Sequence, residues 1–336
     1  MGLFFIVITQ YFIIIRNWFY LKTIPKKNQT ILIGPWLSEV GFEVLYWVPF
    51  LRWLVKKLRL DGNKIIIVSR GGTKIWYSGI ADLYVDVLDF YSPEELKKGN
   101  DRRIEETKVQ KQTLITSFDR EIIEKINKKY HLRKMHLIHP SIMYNLFSGY
   151  WHGRPDMNRI NRNTIHEILP KNFQKINGLP DSYVAMKFYF SDSFPKSIEN
   201  INFINELVKV LSRTNKIVIL NTDLQLDDHL EPHYKNKKIF TINNLIEPQN
   251  NLEIQTKITA HAKAFFGTYG GFSYLAPFFN VPSYSFYSDE KSFNHRHLEA
   301  ANNAYRQINN QTGKQLNFNV LKVSNIDYLL NIIKGI

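Results

Sequence analysis

Cysteine is absent from all 336 residues. The chain therefore has no disulfide, no thiolate metal ligand and no cysteine nucleophile, a composition that fits a reducing compartment. A second absence concerns the dinucleotide turn. The first strand candidate runs into Gly34-Pro-Trp-Leu-Ser38 rather than Gly-x-Gly-x-x-Gly, which argues against a Rossmann methyltransferase or dehydrogenase. No Asp-x-Asp is tied to a strand end, and basic residues do not interleave with aromatics in an RNP pattern. The start lacks a basic n-region and no Ala-x-Ala-like site follows Leu21, so a cleaved signal peptide is disfavoured. Internal repeats and low-complexity tracts are lacking as well.

Acidic residues are outnumbered, 30 against 44 basic ones, for a formal net charge of +14. Such a surplus implies an anionic partner: nucleic acid, an acidic membrane surface or a phosphorylated substrate. Between Lys97 and Lys175 seventeen Lys/Arg face eight Asp/Glu, so +9 of the charge lies mid-chain. A solvated, Lys-rich surface accounts for this as well as a functional patch does. A basic, non-enzymatic anion- or RNA-binding protein is accordingly the rival to any enzymatic reading. The length exceeds what one core usually supports, so two domains are expected, and a 44% hydrophobic share is enough to fill them.

Residues 1–24 stand apart. Met1 to Leu21 carries one charge, Arg16, yet Thr9, Gln10, Arg16 and Asn17 interrupt the apolar run, and Trp18, Tyr20 and Lys22 supply the aromatic and basic edge of a headgroup boundary. The segment reads as an interfacial anchor on an anionic membrane surface, with a helix packed on the protein's own surface as the other reading.

Beyond it strands and helices alternate. Ile31–Gly34, Lys64–Ser69 and Tyr84–Phe90 have strand character; Val40 to Leu58 repeats apolar residues at helical spacing, with Pro49 expected to kink it because Pro has no amide for the Leu45 carbonyl. Ser92-Pro-Glu-Glu95 reads as a capped helix start. His136 to Trp151 has no clear period. Ile176 to Ser182 has linker composition, after which Tyr183–Ser191, Lys216–Asn221 and Lys238–Ile242 read as strands, and Ile198–Arg213 and Leu252–Lys263 as helices. The alternation predicts an α/β fold of parallel sheets covered on both faces, in two domains, 25–178 and 179–336.

The densest stretch is Phe265 to Phe286. A short buried strand meets Gly270-Gly271, a helix-length run Phe272–Phe279 follows, and Val281–Phe286 re-enters the sheet. The amides of Gly271, Phe272 and Ser273 are the expected open donors of that helix's first turn, suited to a diphosphate; an ordinary strand-turn-helix connection is the alternative. In the first half, the loop Arg70-Gly-Gly-Thr73 is able to offer a guanidinium and amides to an anion. Glu39 and Glu43 share a helix face in the first turn, where capping alone also explains carboxylates. Asp227-Asp228-His229 is the one carboxylate-rich cluster and reads as a solvated loop rather than a cation site. His295 and His297 alternate after Asp289 as cleft-lining candidates.

Two segments carry a resemblance. Glu43-Val-Leu-Tyr-Trp-Val-Pro49-Phe-Leu51 resembles the segment that opens the bacterial heptosyltransferases, with Glu43 at their Asp. Gly271-Phe-Ser-Tyr-Leu-Ala-Pro-Phe-Phe-Asn-Val-Pro282 is similar to their donor-binding Gly-x-Ser/Met-His-Leu segment, with Tyr274 at the His, and to uncharacterised glycosyltransferases of surface-polysaccharide type. The resemblance implies a GT-B glycosyltransferase, two Rossmann-like domains facing a cleft, the N-terminal one for a glycan or lipid-linked acceptor and the C-terminal one for a nucleotide-sugar. It implies an inverting transfer with Glu43 as base. Under that reading Glu39, one turn away, raises the Glu43 pKa by like-charge repulsion or binds an acceptor hydroxyl, with capping as the alternative for both, and Arg70 and His295 are acceptor or cleft candidates. Lys187, Ser191, Ser193, Thr268, Gly270, Gly271, Phe272 and Ser273 are then the donor-binding candidates, placed by the rule that open α/β sheets bind ligands at strand carboxyl ends. Neither a metal nor a cofactor is expected, nucleic acid is not an expected partner, and the expected location is the cytoplasmic face of the cell membrane.

Overall fold

The computed structural model describes residues 2–25, 27–132, 134–153, 157–222 and 239–323, with side chains described from residue 12 onward. The Asp227-Asp228-His229 cluster lies outside the described residues. The chain forms two compact units, Met1–His166 and Glu167–Ile336. The expected linker Ile176–Ser182 thus falls within the second unit.

In the first unit β1 (Lys27–Ile33), β2 (Gly62–Ser69), β3 (Leu83–Asp86) and β4 (Met135–Ile138) make one sheet in the order β3-β2-β1-β4, every pair parallel. Ile31, Leu32 and Ile33 of β1 and Ile65 to Val68 of β2 are continuously apolar because both sheet faces are covered. The segment His136–Trp151, without period in sequence, proves composite: β4, then helices Pro140–Leu146 and Ser148–Trp151. The Ser92 capping box forms as expected, with Ser92 Oγ accepting from the Glu95 amide.

In the second unit β5 (Val184–Lys187), β6 (Ile217–Ile219), β7 (Ile239–Thr241), β8 (Phe265–Thr268), β9 (Ser283–Tyr287) and β10 (Phe318–Lys322) form a parallel sheet in the order β10-β9-β8-β5-β6-β7. Counted from its own first strand this is 3-2-1-4-5-6, the dinucleotide-fold order, and the first unit reproduces its 3-2-1-4 half. The fold class is therefore the expected one: α/β, two Rossmann-like parallel sheets. A core of Met186, Phe188, Phe203, Phe266 and Phe286 fills the space between this sheet and helix Ile198–Thr214.

The N-terminal helix, Gly2–Thr23, ends packed on the first unit. Trp18 meets Trp53 edge-on at 5.6 Å, Leu21 is buried, and Tyr20 bonds the β4 backbone through the Leu137 amide and carbonyl. Phe12 and Phe19 are exposed. Among the described residues no helix is long and apolar enough to cross a membrane.

Candidate functional site

Each sheet gathers polar residues at its carboxyl end. In the first unit the chain leaves β1, turns through Gly34–Ser38 and starts a helix at Val40. Pro49 supplies no amide for Leu45, and the helix widens just before it: Glu43–Trp47 is a π turn in which the Val48 amide reaches back to Glu43 O. Glu43 opens that turn.

Its carboxyl is fully buried. Oε1 accepts from Tyr77 Oη at 2.5 Å, Ser69 Oγ at 2.6 Å and Thr73 Oγ1 at 3.4 Å. Among the described residues Oε2 has no hydrogen-bond partner, and it lies 3.6 Å from Arg70 Nη1. Burial pushes the Glu43 pKa up to about 7, against the opposing pull of Arg70 and the three hydroxyls. Repulsion from Glu39, the expected cause, is not among the causes: Glu39 is exposed at the cap position while Glu43 turns inward. Nor does the Glu39 side chain cap the helix.

The Arg70–Thr73 loop differs from expectation for a physical reason. Two of its amides are already spent: Gly72 donates to Asp86 Oδ2 at 2.7 Å and Thr73 to Tyr84 Oη at 3.0 Å. Arg70 is itself nearly buried, donating to the Ser38 carbonyl and facing Glu43. Asp86, at the end of β3, also accepts from Tyr84 Oη and the Leu88 amide, and burial raises its pKa to about 6. Sequence reasoning missed Ser69, Thr73, Tyr77, Tyr84 and Asp86, since nothing in their spacing marks them as neighbours of Glu43.

A second polar group joins β1 to β4. Gln112 bridges the Pro35 carbonyl and the Leu37 amide and donates to Asp119, whose carboxylate lies 3.4 Å from His139 Nε2. All three are buried.

In the second unit the strand order reverses between β5 and β8, and the Gly270-Gly271 turn leaves β8 at that junction. Lys187 ends β5; Nζ donates to Gln255 Oε1 at 2.8 Å and stands 5.5 Å from the Phe272 ring centre. Gly270 has φ +118, and a Cβ there would meet Tyr189 Oη at 2.7 Å, so the turn admits only glycine. Thr268 and Ser273 build this corner from within. Thr268 Oγ1 accepts from the Tyr189 amide and donates to its carbonyl, while Ser273 Oγ accepts from the Gly270 amide. The Ser273 amide, expected to be open, donates to Gly270 O at 2.9 Å, because helix Phe272–Phe278 is entered through a tight turn. Among the described residues the amides of Gly271 and Phe272 are the ones left without a partner in this turn.

Ser191 and Ser193 sit on the loop after β5, their hydroxyls 3.3 Å apart, and the Ser193 carbonyl accepts from the Ser288 and Asp289 amides beyond β9. His295 begins helix His295–Thr312, exposed and 3.4 Å from Glu290 Oε1. The Tyr269 hydroxyl donates to Asn294 O, which keeps that helix start beside the glycine turn. Among the described residues no group of three or more His, Asp or Glu gathers as metal ligands.

Two parallel sheets of Rossmann order, each with its polar residues at the strand carboxyl ends, define a two-unit α/β protein with ligand-type edges. Solved structures similar to this chain include the glycosyl transferase family 9 protein from Veillonella parvula DSM 2008, at 12% identity and TM-score 0.48, covering 94% of this chain and 98% of that one. Others are the E. coli ADP-heptose LPS heptosyltransferase II, at 9% identity and TM-score 0.47 over 92% of this chain and 98% of that one, and the E. coli heptosyltransferase WaaC with ADP, at 13% identity and TM-score 0.45 over 92% and 99%. No family model matches the sequence, and no curated protein matches it.

Proposed function

We propose that the protein is a glycosyltransferase that moves a sugar from a nucleotide-sugar to a glycan or lipid-linked acceptor, in surface polysaccharide synthesis at the inner face of the cell membrane. The observation that carries this reading is Glu43: a carboxyl with its pKa at about 7, at the carboxyl edge of a parallel sheet and in the segment that resembles the heptosyltransferase opening. A general base is most effective with a pKa near the working pH.

In the proposed step the acceptor hydroxyl gives its proton to Glu43 Oε2 as its oxygen bonds the anomeric carbon. The bond from that carbon to the diphosphate oxygen breaks on the opposite side, which inverts the centre. Taken by itself, the second unit offers a departing diphosphate the Lys187 ammonium and the amides of Gly271 and Phe272 at its β5/β8 junction, a charge complement that works without a metal. Oε1 is held by three hydroxyls, which leaves Oε2 to take the proton. Because Glu43 is buried, the reading requires the Arg70 head to move off Oε2, or a water to relay the proton, during turnover. Glu39, exposed one turn earlier, serves as a hydroxyl acceptor for the incoming sugar. The RNA-binding rival draws on net charge alone and is not favoured.

Thermal-shift screening against UDP, GDP, ADP, CMP and TDP tests the donor half. A ligand at a hundred times its dissociation constant adds about 2.7 kcal/mol to the folded state. A shift with one or more is expected; no response to any of them overturns the reading.

A further inference from the structure

Lys111 is a half-buried cation to which the proposed chemistry gives no role. It sits between helices Pro93–Thr107 and Ser117–Tyr130, on a loop that Gln112 pins to the β1 turn. Its ammonium stands 4.9 Å from the Trp151 ring centre and 5.5 Å from that of Phe42. Among the described residues no carboxylate comes within ion-pair distance of it. Burial lowers its pKa, with the charge of Glu39 acting in the opposite direction from farther away. A cation removed from water without a counterion is costly, and an incoming anion relieves that cost.

The two rings beside it are partly exposed, their centres 5.7 Å apart and their planes tilted by 49°. They are firmly backed. Tyr46 packs on both Phe42 and Trp151, Tyr150 packs on Trp151, and the Tyr46 and Tyr150 hydroxyls are 3.0 Å apart. Aromatic faces of this kind take the C–H face of a sugar ring. Phe42 immediately precedes Glu43, so the platform and the buried carboxyl share one helical segment.

We infer that Lys111, Phe42 and Trp151 form a subsite for an anionic sugar, a pyranose bearing a carboxylate or a phosphate. As a subsite for the acceptor it rests on the glycosyl-transfer reading; as a binding site it does not. The ammonium meets the anionic group, the rings take the apolar face, and Glu39 disfavours a second anion on the same ring.

The test is titration of the full-length protein, without nucleotide, with glucuronate, glucose 6-phosphate, glucose and inorganic phosphate, followed by calorimetry or amide NMR. At least one charged sugar is expected to bind ten-fold or more tighter than glucose and than phosphate; the tighter of the two tells carboxylate from phosphate. Lys111→Gln should bring that sugar to the glucose level, Lys111→Arg should restore most of the difference, and Trp151→Leu should weaken charged and neutral sugars alike. Thermal midpoints within a few degrees of the parent show that the variants fold. Equal binding of glucose and both charged sugars, phosphate binding as tightly as either sugar, or an unchanged Lys111→Gln protein would each overturn the inference. A nucleotide response alongside such a result would leave the donor reading standing.

Discussion

At the scale of single residues, Glu43 links protonation to stability. A carboxyl whose pKa is 4.5 in the unfolded chain and about 7 in the fold binds its proton more tightly when folded. Between those values the native state holds a proton that the unfolded state has lost, so stability falls as pH rises and the loss is complete above pH 7. The full penalty is about 3 kcal/mol. Asp86 adds a loss of the same sign, ending near pH 6. Glu43→Gln should therefore flatten the stability curve between pH 6 and 7, read from urea melts at fixed temperature; a slope there equal to that of the parent would show that the Glu43 proton is not held. In the proposed reaction the same variant should lose on the order of 10²-fold in turnover with nucleotide affinity unchanged. The candidate was picked out in sequence because Pro49 and Leu51 follow it as in the segment it resembles. Its environment was not, since Ser69, Arg70, Thr73 and Tyr77 reach it only through the parallel pairing of β2 with β1.

At the scale of elements, the glycine turn after β8 and the N-terminal helix make separate predictions. Gly271 has φ +46, and its amide is one of two left open in the turn. Gly271→Val strains the backbone by about 1–3 kcal/mol and places a branched side chain beside those amides. Nucleotide affinity should drop more than the thermal midpoint explains, as checked by calorimetry on protein confirmed to be folded; unchanged affinity would remove the turn from the donor site. The N-terminal helix carries its described packing contacts in its last turns. Residues 2–11 supply apolar sequence, whereas Trp18, Tyr20 and Leu21 are built into the first unit. Removing residues 2–11 should leave the melting behaviour intact and reduce flotation with anionic vesicles, and extending the deletion through Thr23 should cost about 2–5 kcal/mol as a buried Leu and an aromatic contact are lost. Strands with an unbroken apolar run, such as β2 and β8, were legible for the reason that makes them strands, burial on both faces. β4 and β10 were not: Met135-His-Leu-Ile138 and Phe318-Asn-Val-Leu-Lys322 mix polar residues into short strands, and their pairing with β1 and β9 is set by tertiary contacts.

At the scale of the whole molecule, two sheets repeating one strand order imply two units able to hold their own cores, and the segment joining them decides where they separate. Composition pointed to Ile176-Asn-Gly-Leu-Pro-Asp-Ser182, since Gly, Pro and Asn resist regular structure. Hydrogen bonding instead assigns the preceding residues on both sides of His166. The Ile165 amide donates to Pro49 O at 2.9 Å, and His166 Nε2 lies 3.0 Å from Leu45 O, both ties to the first unit. Three residues later the allegiance changes. The Leu169 amide donates to Phe278 O at 2.8 Å, Leu169 is buried, and Phe173 packs edge-on against Phe279 and His261. No composition signal marks that change, because Leu169 and Phe173 are lone apolar residues in a polar stretch. A fragment spanning 167–336 should consequently fold with its core closed, whereas one spanning 179–336 lacks the Leu169 and Phe173 side chains and should be less stable by about 2–5 kcal/mol. Urea melts of the two fragments measure the difference. Equal midpoints would show that residues 167–178 belong to neither core, and the separation would then return to Ile176–Ser182.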